Sequence, residues 1–178
     1  MLYICGGLPG TGKTTLSQLL AKNLQAAHLR IDVIEQALRE TGLSLQGPEG
    51  YVVAYRLAAH LLRLGMGVVA DSVNPIEWTR AAWRNVADEA RTAFVEIEFI
   101  CTDPGEHRHR VETRPSDIAG LQLPTWEAVV NRDYEPWLGE HLVIDTASQT
   151  VEQSLLALQQ ALNTNFDPPA LIGKETTP

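Results

Sequence analysis

The sequence predicts an α/β fold in which a parallel β-sheet lies between two layers of helices, as a three-layer sandwich. Two observations lead to this prediction. Five short apolar runs alternate with stretches in which apolar residues recur at helical spacing. Two loops rich in glycine and proline, residues 41–50 and 114–124, interrupt the alternation. Such loops at the carboxyl ends of parallel strands are where α/β sheets bind ligands.

Each predicted element has its own pattern in the sequence. The strands are predicted from apolar runs at residues 2–5, 28–31, 68–70, 94–100 and 141–144. Helical patterns lie at residues 14–25, 33–40, 51–64, 77–91, 105–113, 125–135 and 150–162. The first of these helices carries leucine at positions 16, 19, 20 and 24, and the third carries it at 57, 61 and 62.

Length and charge limit the kind of protein that this chain can be. Its 178 residues suit one domain, which we expect over residues 1–162. Residues 163–178 lack periodicity, and we expect an extended or disordered tail there. The formal charge of −8 opposes a general attraction to nucleic acids or acidic membrane surfaces. No apolar run is long enough to span a membrane and no signal-like leader opens the chain, so we expect a cytoplasmic protein in which Cys5 and Cys101 are reduced.

A phosphate-binding pattern connects the first strand to the first helix. In "GLPGTGKTT", Gly7, Gly12, Lys13 and Thr14 satisfy G-x-x-x-x-G-K-[ST]. Glycines let successive N–H groups turn toward an anion, and Pro9 fixes the turn. Lys13 can reach the β- and γ-phosphates, and the Thr14 hydroxyl can bind Mg²⁺. The alternative is a glycine-rich turn beside an exposed lysine. The predicted nucleotide-binding residues are Gly7, Leu8, Pro9, Gly10, Thr11, Gly12, Lys13, Thr14 and Thr15.

Two aspartates follow predicted strands and are candidates for the chemistry. Asp32 can accept a proton from an attacking hydroxyl or orient it, although it also suits the N-cap of the next helix. Asp71 ends "GVVAD" and can hold Mg²⁺ directly or through water, although a buried aspartate can also cap a turn. Ser72 stands where ATP-driven motors usually carry a water-activating glutamate, which favours transfer to a bound acceptor over hydrolysis.

Three arginines follow the fourth predicted strand within seven residues. Arg110 and Arg114 share a helical face, and either can stabilise the charge on a transferred phosphoryl group. Arg108 is a candidate to lie along the adenine ring. The alternative is a solvated helix in which Glu106 and Glu112 pair with these arginines.

With these residues placed, residues 1–146 resemble the P-loop small kinase group, which includes phage-type polynucleotide 5′-kinases, chloramphenicol phosphotransferase and the zeta toxins. The phosphate loop, Asp32, "DSVNP" with Arg80 and Trp83 downstream, and the arginine-rich segment recur in that order. The resemblance implies a five-stranded parallel sheet, with ATP and Mg²⁺ as cofactors. It also implies a lid at about residues 104–124.

The resemblance also implies roles for individual residues. Asp32 matches the acceptor-activating aspartate, Lys13 and Thr14 match the nucleotide and Mg²⁺ residues, and Arg110 or Arg114 matches the lid arginine. The candidate acceptor-binding residues are Asp32, Tyr55, Asp71, Asn74 and Arg80. Polynucleotide kinases of this group carry an arginine one turn after the aspartate, but this chain has Glu35 there. With the acidic charge, this favours a small hydroxylated acceptor over nucleic acid.

The expected activity is therefore ATP- and Mg²⁺-dependent phosphorylation of a small-molecule hydroxyl. Two other functions stay open. One is a nucleotide-sensing module that presents a surface to a protein partner and forms no phosphorylated product. The other is a toxin-like or repair kinase that acts on a nucleotide sugar or a nucleic-acid end.

Overall fold

The structure is a computed structural model, and it describes residues 1–165. Five parallel strands form one sheet in the order β2-β3-β1-β4-β5, which confirms the predicted fold class. The strands are β1 Leu2–Gly6, β2 Ala27–Arg30, β3 Val68–Asp71, β4 Phe94–Ile100 and β5 Leu142–Asp145.

Seven helices connect and cover these strands within the described part of the chain. They are α1 Lys13–Leu24, α2 Ile31–Glu40, α3 Glu49–Arg63, α4 Glu77–Ala90, α5 Pro104–Thr113, α6 Trp126–Val130 and α7 Val151–Asn165. Helices α1 and α7 pack together, and α3 packs against both α2 and α4. The predicted tail begins inside α7, and its residues 166–178 lie outside the described residues.

The hydrophobic core has one part on each face of the sheet. Ile4 of β1 packs with Trp83 of α4 in one part, whereas the neighbouring Cys5 packs with Leu16 of α1 and Phe99 of β4 in the other. Successive side chains of a strand point to opposite faces, so a sheet covered on both faces needs apolar residues at nearly every strand position. This explains why the strands are continuous apolar runs in the sequence.

One predicted helix is much shorter than the sequence pattern suggested. The pattern covers residues 125–135, but α6 ends at Val130. Pro136 disfavours the helical conformation of the residue before it, Glu135. The N–H of Glu135 instead donates to the carbonyl oxygen of Pro75 at 2.8 Å, so this backbone group is satisfied outside a helix. The segment after α6 is thus held by contacts distant in sequence.

Neither cysteine forms a disulfide. Cys5 is buried, and Cys101, the residue after β4, is partly exposed. In residues 1–165, none of the helices combines the length and the hydropathy that crossing a membrane requires.

Candidate active site

The loop between β1 and α1 has the backbone shape that its glycines permit. Gly7 has a φ of 139° and Gly10 a φ of 91°, values that side chains with a Cβ rarely adopt. A Cβ on Gly7 would lie 2.3 Å from the carbonyl oxygen of Phe99, so the loop passes too close to β4 for any larger residue. No side chain caps the N-terminus of α1, which leaves its first N–H groups available to an anion.

Lys13 forms a buried ion pair with Asp71 across the edge of the sheet. Lys13 Nζ lies 2.5 Å from Asp71 Oδ1, and the Asp71 side chain is fully enclosed. Burial alone would raise the pKa of Asp71, but the ammonium of Lys13, helped by His28, holds that pKa well below its usual range. Asp71 is therefore ionised, and Lys13 neutralises it.

The second oxygen of Asp71 lies near His28 and Arg30 but forms no hydrogen bond within the described residues. Asp71 Oδ2 lies 3.5 Å from His28 Nε2 and 4.0 Å from Arg30 Nε. Arg30 reaches this position because it is the strand partner of Asp71 in the β2–β3 pairing. The carboxylate thus keeps an unsatisfied oxygen atom next to the phosphate loop.

Asp32 is the second residue of α2, and Arg30, not Asp32, occupies the N-cap position. The capping alternative for Asp32 is therefore wrong. The Asp32 side chain is 48% exposed, and its Oδ2 lies 3.4 Å from Arg30 Nε. It lines the same cavity as the phosphate loop. Its carboxylate is consequently open to a ligand in that cavity.

A single cavity of about 610 Å³ joins these features. From the phosphate loop and α1 it is lined by Leu8, Pro9, Gly10, Gly12, Lys13, Thr14 and Thr15. From the β2–α2 region and α3 it is lined by Arg30, Asp32, Glu35, Arg39 and Tyr51. Further residues come from the predicted lid, the segment after α6 and the loop after β5, among them Arg110, Arg114, Gln122, Arg132 and Thr146. Gly7, Thr11 and Asp71 belong to the same region but do not line the cavity.

Arg110 is connected to the phosphate loop through Thr146. Its Nη1 donates to Thr146 Oγ1 at 2.7 Å and its Nη2 to the Thr146 carbonyl at 3.0 Å, and Glu106 completes the set as an ion-pair partner. Thr146 Oγ1 in turn lies 3.0 Å from the carbonyl oxygen of Thr11, to which it can donate. Thr146 thus links the Arg110 side chain to the backbone of the phosphate loop.

The other two arginines of the segment differ from Arg110. Arg114 lines the cavity and is about half buried, and burial, together with the nearby cation of Arg30, lowers its pKa. Arg108 is exposed, pairs with Glu112 at 2.8 Å and does not line the cavity. The solvated-helix alternative thus describes Arg108, and its contact with an adenine ring stays a prediction.

Three of the candidate acceptor-binding residues lie away from the cavity. Tyr55 donates to the carbonyl of Thr79 at 3.2 Å and packs edge-on against Trp83. Asn74 is fully buried, and its Nδ2 donates to the carbonyl of Cys5 at 3.1 Å. Arg80 is almost completely enclosed. The structure does not bring these three side chains to Asp32.

Arg80 instead ties two loops together. Its guanidinium donates to the carbonyl oxygens of Asn74, Pro75, Glu135 and Pro136, at 3.0, 3.2, 2.5 and 2.9 Å. It also lies 4.4 Å from the centre of the Trp137 ring. These bonds fix the loop after β3 to the segment after α6.

This arrangement predicts a stability defect for Arg80→Met. Methionine fills similar space but leaves the four carbonyl oxygens without their donor, so we expect the free energy of unfolding to fall by about 3 kcal/mol. Urea denaturation measures this change, with Arg63→Met, an exposed arginine of α3, as the matched control. Unchanged stability combined with a raised KM for an acceptor would instead make Arg80 an acceptor-binding residue.

The structure adds residues to the site that the sequence reasoning missed. Arg30 was missed although a charged residue inside an apolar run is itself a signal. His28, a polar residue in the same apolar run, was also missed. Its Nε2 lies 3.1 Å from Ser17 Oγ. Thr146 has no sequence signal, because it meets Thr11 only through the fold.

The residues predicted to hold Mg²⁺ fit that ion in donor chemistry. Thr14 is the second residue of α1 and lines the cavity, and Asp71 carries the unsatisfied oxygen. Both offer hard oxygen donors, which Mg²⁺ prefers. Residues 1–165 contain no cluster of three or more histidine, cysteine or acidic side chains arranged for a metal. Such a site suits an ion that is held mainly by substrate phosphates and water.

Comparison with known proteins agrees with this geometry. Residues 2–130 match the family AAA_33, described as an AAA domain. A probable adenylyl-sulfate kinase of Aeropyrum pernix is 30% identical over 166 residues, covering 84% of this chain and 85% of that protein. An adenylyl-sulfate kinase of Synechococcus sp. is 27% identical over 173 residues, covering 89% and 92%. The structure of Chaetomium thermophilum Kti12 in complex with ADP-AlF3 shares the fold, with a TM-score of 0.67, 19% identity, and coverage of 92% of this chain and 98% of that one.

Proposed function

This chain belongs to the AAA_33 family of P-loop kinase domains, and on that basis we propose that it transfers the γ-phosphate of ATP to a hydroxyl group of a small molecule, with Mg²⁺ as cofactor. The observation that carries the proposal is the shared cavity. Lys13 and Thr14 of the phosphate loop line it together with Asp32, which is half exposed and has no role as a cap.

Asp32 is the residue that we assign to the acceptor. The acceptor oxygen attacks the γ-phosphorus, the bond from that phosphorus to the β,γ-bridging oxygen breaks, and ADP leaves. The hydroxyl proton passes to the Asp32 carboxylate. Because the transition state is loose, little proton has moved when the phosphoryl group transfers. Asp32 therefore acts more as an orienting group than as a strong base.

The phosphate loop and Lys13 are assigned to the triphosphate. Lys13 would exchange its ion pair with Asp71 for the β- and γ-phosphates, and Asp71 would then be free, with Thr14, to hold Mg²⁺. When bound, Mg²⁺ neutralises charge on the phosphate oxygens. His28 and Arg30 stay beside Asp71 after Lys13 leaves, so the buried carboxylate is never without a cationic neighbour.

Arg110 is the lid arginine that we assign to the nucleotide, because it is bonded through Thr146 to the phosphate loop. Residues 104–124 form the proposed lid of a domain that spans residues 1–162. Closure of the lid would exclude water and place a cation near the transferred group.

A transfer assay tests the proposal. The protein is incubated with γ-labelled ATP and Mg²⁺ and with a panel of acceptors: neutral sugars, aminoalcohols, nucleosides, adenylyl sulfate and a 5′-hydroxyl oligonucleotide. The adenylyl-sulfate kinase names of the relatives justify including that compound. We expect label on one small-molecule class. Label on the oligonucleotide would indicate a nucleic-acid-end kinase, and nucleotide binding without any labelled product would indicate a sensing module.

A further inference from the structure

The cavity wall carries a strong positive charge in an acidic protein. Five arginines line it, against the two carboxylates of Asp32 and Glu35, although the whole chain has a formal charge of −8. Some of this charge already has a partner. Arg39 pairs with Glu35 at 3.0 Å, and Arg110 pairs with Glu106. Two other arginines of the wall, Arg30 and Arg114, interact electrostatically with Asp32.

Arg114 is the clearest unmatched cation. Its side chain forms no ion pair or hydrogen bond with any residue of 1–165, and its Nε is enclosed without a partner. Asp32 and Asp117 act on it only through longer-range electrostatics. A half-buried guanidinium without an anionic partner is costly, and a bound oxyanion offsets that cost best because it matches the planar fork of arginine.

Arg30 is the second cation of this region, and the buried Asp71 carboxylate lies 4.0 Å from its Nε. Its Nη1 pairs with Asp117 of the predicted lid at 2.6 Å, whereas its Nε lies 3.4 Å from Asp32 and has no hydrogen bond in the described structure. Arg30 lines the cavity and Asp117 does not. Asp117 is 59% exposed, so its loop can give up this contact at small cost.

We propose that Arg30 and Arg114 bind an anionic group of the acceptor, such as a phosphate, sulfate or carboxylate, and that Asp117 competes with that group for Arg30. This rests on the proposed function, since it assigns Asp32 to the acceptor hydroxyl. The anion anchors the acceptor beside Asp32, while Lys13 and Arg110 serve the triphosphate. Arg114 is thereby an acceptor-binding residue and not the arginine that contacts the γ-phosphate.

Sulfate binding tests this assignment without any turnover. The protein is first saturated with Mg²⁺ and AMP-PNP, so that the phosphate loop is filled, and sodium sulfate is then titrated at constant ionic strength with calorimetric detection. We expect Asp117→Asn to bind sulfate about fivefold more tightly than the unchanged protein, because the competing carboxylate is lost. We expect Arg114→Gln to lose sulfate binding and Arg114→Lys, which keeps the charge without the fork, to retain part of it.

The ion pair of Arg63 and Glu89 on the surface of α3 and α4 supplies the controls. Glu89→Gln changes the net charge as Asp117→Asn does, and Arg63→Gln changes it as Arg114→Gln does, and both should bind sulfate as the unchanged protein does. A gain in affinity for Asp117→Asn cannot come from misfolding. Unchanged or weaker binding in Asp117→Asn, or full binding in Arg114→Gln, would overturn the proposal.

The titration also separates this proposal from the proposed function. If AMP-PNP binds and sulfate does not, the anion site is wrong while the kinase assignment stands. If the transfer assay yields no product but sulfate binds as expected, the kinase assignment fails while the anion site stands.

Discussion

Lys13→Ala is expected to abolish phosphoryl transfer, with a loss of at least about a thousandfold in kcat/KM. Lys13 is the cation that lies between the phosphate loop and Asp71, and alanine can neither contact the triphosphate nor neutralise the carboxylate. Labelled-ATP turnover measures the activity, and titration with AMP-PNP measures nucleotide affinity, which should also fall. Near-normal turnover would show that the loop does not bind the reacting phosphates.

The same substitution should also affect stability, for a separate reason. Without Lys13, the buried Asp71 carboxylate keeps only His28 at 3.5 Å and Arg30 at 4.0 Å, so we expect the free energy of unfolding at pH 7 to fall by about 1–3 kcal/mol. Adding Asp71→Asn removes the uncompensated charge. The double variant should therefore regain stability without regaining activity, which separates the two effects.

The pH dependence of this stability follows from the lowered pKa of Asp71. The Asp71 carboxyl binds a proton more readily in the unfolded state than in the folded state, because its pKa is lowered by folding. The ion pair therefore contributes its full stability above about pH 4, and this contribution is lost as the pH falls toward the folded-state pKa. In Lys13→Ala, burial is no longer offset by the lysine, and this acid-dependent loss should be smaller.

Asp32→Asn is expected to remove most phosphoryl transfer while ATP binding stays within about twofold of the unchanged protein, because we assign the carboxylate to the acceptor and not to the triphosphate. Asparagine has nearly the same shape but cannot accept the hydroxyl proton, and we expect kcat to fall by about a hundredfold or more. The side chain is 48% exposed and its ion pair with Arg30 is long, so stability should change by less than about 0.5 kcal/mol.

The matched control for this variant is Glu40→Gln at the end of the same helix. Glu40 is exposed and accepts only a long hydrogen bond from Gln36. The Glu40→Gln substitution should therefore leave turnover unchanged. Near-normal acceptor phosphorylation by Asp32→Asn would show that another group orients the hydroxyl, and loss of ATP binding would place Asp32 at the nucleotide.

Most of the fold was predictable because its signals are local. The strands are apolar runs because both faces of the sheet are covered, and the phosphate loop is specified by glycines whose backbone angles few other residues adopt. The prediction for residues 125–135 was wrong beyond Val130. The helical pattern there competes with the bonds of Arg80 and Pro75, which no local pattern encodes.

The candidate site was predictable only in part, because some of its contacts join residues that are distant in the sequence. Lys13, Thr14 and Asp32 follow from motif and strand position, and the structure places them around one cavity. Arg30 meets Asp71 because β2 pairs with β3, and Thr146 meets Thr11 across 135 positions of sequence. Such neighbours depend on strand order, which the sequence pattern does not specify. Asn74 and Arg80 were proposed from the segment after the third strand, and their buried side chains instead hold that loop in place. Tyr55 was proposed as a pocket wall, but its hydroxyl donates to Thr79 of α4.

The decisive experiment is a structure of this protein with Mg²⁺ and AMP-PNP bound. We expect that Lys13 Nζ leaves Asp71 for the β- and γ-phosphates, that Asp71 and Thr14 lie beside Mg²⁺, and that Asp32 faces the γ-phosphate across open space. A nucleotide bound elsewhere, or a loop in which Lys13 still pairs with Asp71 while nucleotide is present, would contradict it.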